Sequence, residues 1–198
     1  MSVRKRVPAS YECVVSGGGT EGAGLPHFSS RLYREVKLLQ NALDNCMAEK
    51  SLEIGCGFGR LSPWTMEYSK DHYAVEPEEK LFRSARKLDP QSYVYKAKKL
   101  PFPDGSFDLC LTWTVLQHIL PKEQTKAAEE IKRVAKKTSR IIVAEGTGTF
   151  QGESEWLRTV EGWSELFKPW RLVWQTDRVL EVTADKDQGK VMRFERDE

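Results

Sequence analysis

The chain has 198 residues, 30% of them charged and 39% hydrophobic, enough for one α/β domain with a substantial core and short for two. No apolar run approaches the ~18–20 residues that span a bilayer, and the basic start "MSVRKRVPAS" has no apolar segment behind it, so neither a membrane span nor a secretory signal is expected. A formal net charge of +2 is too small to imply nucleic acid by itself, and four scattered cysteines (Cys13, Cys46, Cys56, Cys110) without a C-x-x-C pair argue against a zinc site or disulfide framework and suit the cytoplasm.

Residues 1–28 include "SGGGTEGAG" and are expected to form a flexible segment that could serve as a lid. Residues 29–198 are expected to form a single domain. From Ser29, the positions Leu32, Val36, Leu39 and Leu43 recur at helical spacing and predict a helix to about Cys46. Strands and helices then alternate. "KSLEIG" predicts a buried strand and "RLSPWTMEYSK" a helix; "HYAVE" predicts a second strand, before the helix "EEKLFRSARKL". "SYVYKA" and "FDLCLTW" predict a third and a fourth strand, "KEQTKAAEEIKRVAKK" a helix and "RIIVAE" a fifth strand. A helix over "ESEWLRTVEGWSELF" precedes two strand-like runs, "RLVWQTDRVLEV" and "KVMRFER", joined by the turn-prone "DKDQG". The rhythm predicts a doubly wound, mostly parallel sheet that ends in an antiparallel hairpin.

The chemistry concentrates at "SLEIGCGFGRLS", residues 51–62. Its glycines are spaced G-x-G-x-G, with Arg60 at the sixth position, where a dinucleotide-binding loop has its third glycine. Glu53 should stand at the carboxyl end of the first strand, where open α/β sheets bind ligands. A carboxylate there repels a pyrophosphate and suits a cation. S-adenosylmethionine is such a ligand: a sulfonium, an ammonium, a carboxylate, a ribose and an adenine, with no phosphate. Glu53 can serve the ammonium end, Gly55 and Gly57 admit close backbone approach, and Arg60 can reach the methionine carboxylate. Glu76, ending "HYAVE", is the natural acceptor for two ribose hydroxyls.

The chain resembles the class I S-adenosylmethionine-dependent methyltransferases, specifically their small, single-domain, small-molecule branch. "LEIGCGFGRL" is similar to their first motif and "AVEP" to their second. "KKLPFPDGSFDLCLTWTVLQHI" resembles their "LPF-x-D-x-SFD … VL-x-H" segment, and "IKRVAKKTSRIIVAE" the helix and strand that follow. The resemblance covers roughly residues 30–150. It implies a Rossmann-like seven-stranded sheet closed by a hairpin, with Cys56 and Pro77 beside the cofactor. It also implies that residues around Ala97 to Leu100, Lys98 among them, border the adenine, and that Thr112 and Trp113 face the methionine part. One departure is Lys96, a donor where many relatives carry an acid that accepts from the adenine amino group.

Methyl transfer from a sulfonium asks the protein chiefly to align two reactants and exclude water, and asks for a base only when the acceptor is protonated. Candidates for that base are His118 and Glu145, after the fourth and fifth strands; Tyr33 and Trp113 could form an apolar wall. The acceptor is expected to be a small molecule or an exposed protein group. "LTWT" is unlike the (Asp/Asn)-Pro-Pro-(Tyr/Phe) segment of amino-methylating enzymes acting on adenine or glutamine, and no Pro-Cys marks a cytosine C5 enzyme. Alternatives are an RNA methyltransferase, supported by Lys96, Lys98, Lys99 and the run from Lys132 to Arg140, a cofactor-binding module inactive without a partner, and a nicotinamide reductase. Oligomeric state is open.

Overall fold

The computed structural model describes residues 25–88, 91, 99–149, 155–178 and 189–196, with side chains from Leu32 onward. Helix α1 (Leu25–Leu43) begins four residues before the expected Ser29, so the end of the presumed flexible segment is helical; residues 1–24 lie outside the described part. The helix stops at Leu43, because Asp44 and Asn45 take left-handed φ values of 48° and 56° that their short polar side chains tolerate. Strand β1 (Ala48–Ile54) follows. The helix expected over 60–70 shrinks to one turn, α2 (Ser62–Thr65), and a 3₁₀ turn at Met66–Tyr68. Pairing with β1 claims the rest: Ser69 and Asp71 stand opposite Ala48 and Lys50 at the start of β2 (Ser69–Val75).

Helix α3 (Glu79–Leu88) matches its expectation, and so does β3 (Phe107–Trp113). Helix α4 (Pro121–Val134) ends three residues early, since Ala135 already pairs with Phe107 and opens β4 (Ala135–Gly146). Lys136 then meets Asp108 at 2.7 Å instead of extending a helical face. Helix α5 (Val160–Phe167) is shorter than the expected 153–167: Thr159 caps it by accepting from the Gly162 amide at 3.1 Å. Strands β5 (Arg171–Asp177) and β6 (Gly189–Glu195) complete the described elements.

The sheet order is β2-β1-β3-β4-β6-β5. The first four strands are parallel, while β6 pairs antiparallel with both β4 and β5, so the expected hairpin is present. Six strands are described; the expected third strand, over 92–97, lies outside the described residues. Both faces are covered. Leu109, Leu111, Trp113, Ile142 and Ala144 pack with Val36, Leu39 and Leu43 of α1, whereas Ile54, Cys110, Ile141 and Val143 pack with Ile131 and Val134 of α4 and Trp163 and Phe167 of α5. A sheet buried on both sides explains why "FDLCLTW" and "RIIVAE" read as continuous rather than alternating apolar runs. No helix among the described residues is long and apolar enough to cross a membrane. The chain runs outward from β1 to β2 and returns on the other side of β1 to form β3. That reversal opens a crevice at the strands' carboxyl ends, the place where such sheets hold ligands.

Candidate functional site

A cleft of about 640 Å³ fills that crevice, within the range of small-molecule sites. Its walls are the end of β1 and the turn that follows (Glu53, Gly55, Cys56, Gly57, Phe58, Arg60, Leu61), the residues just after β2 (Glu76, Pro77) and the end of β3 with the segment beyond it (Trp113, Thr114, Val115, His118, Ile119, Leu120), with Glu123 from α4. The structure thus brings together nine of the residues singled out from the sequence: Glu53, Gly55, Cys56, Gly57, Arg60, Glu76, Pro77, Trp113 and His118.

The glycine turn is docked on β2, with the amides of Gly55 and Cys56 donating to the Val75 carbonyl at 2.8 and 3.1 Å. Gly55 has φ +70°, and a Cβ there would lie 2.4 Å from Val115 Cγ2, so glycine alone lets the turn approach the segment after β3. Gly57 also has positive φ, and its amide donates to Glu76 Oε2 at 2.8 Å; the Glu78 amide serves the other oxygen at 3.0 Å. Burial pushes the Glu76 carboxyl up, and those two backbone donors pull it partly back. Glu53 is buried, accepts from Ser62 Oγ at 2.6 Å and lies 3.7 Å from His72 Nε2; His72 Nδ1 in turn meets Ser51 Oγ at 2.8 Å. Arg60 lines the cleft while bonded to Glu35 of α1.

Glu145, expected as a base, does not line the cleft. It is fully buried, and its Oε1 accepts from Thr112 Oγ1 at 2.8 Å and from the Val115 and Leu116 amides, each at 3.1 Å; Oε2 accepts from the Gln117 amide at 3.1 Å. Burial pushes its carboxyl up against the opposing pull of these four donors. The group anchors the cleft wall from behind. Thr112, expected to face the cofactor, points into this same cluster, because β3 alternates its side chains and Trp113 takes the cleft side. Leu100 is also set back in the core: its amide donates to Glu130 and its carbonyl accepts from Arg133. Lys98 and Lys96 lie outside the described residues.

His118 is half exposed on the cleft wall, with its Nε2 4.0 Å from Glu155 Oε1. Glu155 Oε1 accepts from Gln117 Nε2 at 3.0 Å, and Gln117 Oε1 accepts from the Gly146 amide at 2.6 Å. Sequence reasoning missed Glu35, Phe58, Leu61, Val115, Ile119, Leu120 and Glu123. It also missed Thr114, a β-branched residue held at φ +55° with its hydroxyl donating to the Trp113 carbonyl at 2.7 Å. Only the sequence neighbourhood of His118 could have flagged the residues from Thr114 to Leu120.

Comparison with known proteins agrees with this fold. Residues 52–143 match the model of a family described as a methyltransferase domain. That matched segment is a class I S-adenosylmethionine-dependent methyltransferase domain. An uncharacterised methyltransferase of a Geobacillus species is 27% identical over 65% of the chain and 63% of its own length. A probable S-adenosylmethionine-dependent methyltransferase of Mycobacterium tuberculosis is 26% identical over 56% of the chain and 40% of its own length. The chain therefore spans roughly half of the length of the curated relatives it matches. A crystal structure of a Pyrococcus horikoshii protein shares the fold with a TM-score of 0.72 at 17% identity, covering 95% of this chain and 99% of that one.

The cleft suits the cofactor of that family. Among its described lining residues are three carboxylates (Glu53, Glu76, Glu123) and one guanidinium, Arg60. That balance favours a cationic nucleoside over a diphosphate, and the open space in front of Gly57, where a Cβ would meet nothing within 4 Å, leaves room for close backbone approach.

Proposed function

We propose that this chain transfers the methyl group of S-adenosylmethionine, by in-line displacement, to a small-molecule or exposed protein acceptor in the cytoplasm. The observation that carries the reading is the pair of buried acids, Glu53 and Glu76, at the carboxyl ends of neighbouring parallel strands and flanking a glycine turn. Glu53 would hold the ammonium, Arg60 the carboxylate and Glu76 the ribose hydroxyls, with Pro77 and Phe58 as apolar lining. When bound, the cofactor supplies an already activated methyl group, so the protein's share is alignment and the exclusion of water. The wall from Trp113 to Leu120 does the excluding. His118 stands on that wall and can receive a proton from an acceptor that carries one. Glu145 acts through the wall it anchors.

The RNA reading has less support. Arg133 is committed to Glu130, Asp104 and the carbonyls of Leu100 and Phe102; Lys136 pairs with Asp108, Arg140 with Glu195, and Lys132 donates to the Lys168 carbonyl. These cations are engaged within the fold, which leaves Lys99 and Lys137 as the exposed lysines of that set among the described residues.

Calorimetric titration with S-adenosylmethionine and NADH in parallel, followed by a radiolabelled-methyl screen of metabolite, protein and RNA fractions, tests the proposal. Binding of the first ligand alone and label in metabolites or protein is expected. NADH binding, or label confined to RNA, would overturn it.

A further inference from the structure

We infer that Glu35, on α1, is a positioning residue for the cofactor: it sets the Arg60 guanidinium in the cleft to meet the methionine carboxylate. This rests on the cofactor reading above but concerns a residue outside the matched segment 52–143. Glu35 is 1% exposed. A carboxylate so far from water is stable only beside strong donors, and both of its named donors line the cleft. Arg60 Nη1 donates to Oε2, and the Trp113 indole N–H donates to Oε1 at 3.2 Å. One acid on α1 therefore ties the turn after β1 to the end of β3.

The chemistry asks for such a tether. Arg60 is the one Lys or Arg among the described lining residues of the cleft, where the carboxylates are Glu53, Glu76 and Glu123, so it is the cation placed to neutralise a ligand carboxylate there. An arginine on its own samples many rotamers. Fixed from behind by an acid, its planar fork of five donors is held in one orientation, a geometry in which an acid behind and an anion ahead can be served together. The same acid satisfies the buried indole N–H, which keeps the Trp113 ring in the wall. Nothing in the glycine motif supplies this function; it comes from a helix that precedes it in the chain.

The test is a calorimetric double-mutant cycle on the full chain with Glu35→Gln, Arg60→Gln and the double variant. Each is titrated with S-adenosylmethionine and with its decarboxylated analogue. Wild type should prefer the carboxylate-bearing ligand. E35Q should weaken that ligand by about 10- to 100-fold, the loss typical of a charge-assisted contact, and leave the decarboxylated analogue unchanged within about twofold. In the R60Q background the E35Q effect should vanish. The KM for the cofactor should rise while kcat at saturation holds, a split that general loosening of the fold would not produce. Should E35Q fail to fold, Glu35→Asp, which retains the charge and shortens its reach, reads the same coupling. Equal weakening of both ligands, an E35Q loss that adds in full to that of R60Q, or a wild type indifferent to the carboxylate would overturn the assignment. A wild type that binds neither ligand would instead fell the cofactor reading beneath it.

Discussion

Replacing Glu145 by Gln separates an anchor from a base. The side chain is isosteric, so the change is one of charge and donor pattern. An amide oxygen in the place of Oε1 still accepts from Thr112 Oγ1 and from the Val115 and Leu116 amides, but as a neutral acceptor; the NH₂ then faces the Gln117 N–H, which loses its partner. Hydrogen bonds to charged groups contribute ~1.5–3 kcal/mol against ~0.5–1.5 for neutral ones, and an orphaned buried donor costs ~1–3. Relief from burying a charge offsets part of this. The net loss of stability is then on the order of 2–4 kcal/mol. Urea unfolding should show it as a lower midpoint at constant slope. Cofactor affinity should fall as well, because the wall from Thr114 to Leu120 loosens. Had Glu145 been the base, turnover would collapse while the unfolding midpoint stayed put. That outcome would refute the anchoring argument.

Gly55→Ala should destabilise the fold by about 2–5 kcal/mol, combining a left-handed alanine with overpacking against Val115; adding Val115→Ala should recover the overpacking part alone, and a fully stable single variant would contradict the close approach. Glu76 predicts a pH dependence of cofactor binding. Its carboxyl lies above the ordinary glutamate value, and the ionised form is the better acceptor for ribose hydroxyls, so affinity should be full above that raised pKa and decline as pH falls through it, sooner than a solvated glutamate would allow. Calorimetry from neutral pH downward measures this, and Glu76→Gln should flatten the profile; an unchanged slope in the variant would assign the titration elsewhere. His118→Asn should lower kcat by about 10²–10⁴-fold on an acceptor protonated at working pH while cofactor affinity holds, as read by steady-state kinetics beside calorimetry. Unaltered kcat would remove His118 from the chemistry.

Much of the layer order was legible because each device leaves a local mark. The buried parallel strands appear as unbroken apolar runs, the glycine turn as positive-φ residues after one of them, and Glu53 and Glu76 as acids at two strand ends. Those features depend on neighbours in the chain. The misjudged boundaries have a different origin: the segments 60–70 and 122–137 carry helical patterns, yet the pairings Ala48↔Ser69 and Phe107↔Ala135 claim their carboxyl ends for the sheet. Interstrand hydrogen bonds formed across distant sequence outweigh a weak local preference.

The site divides in the same way. Sequence by itself determined the glycine turn, the two strand-end acids and the position of His118, because the spacing of residues along one strand and turn dictates where they emerge. Tertiary structure decided the roles of Glu145 and Glu35. The first was turned inward to bind three backbone amides and a hydroxyl; the second was brought from α1 against Arg60 and Trp113. A carboxylate is chemically the same residue whether it faces a cleft or a ring of buried donors, and only the folded packing around it settles which of the two it meets.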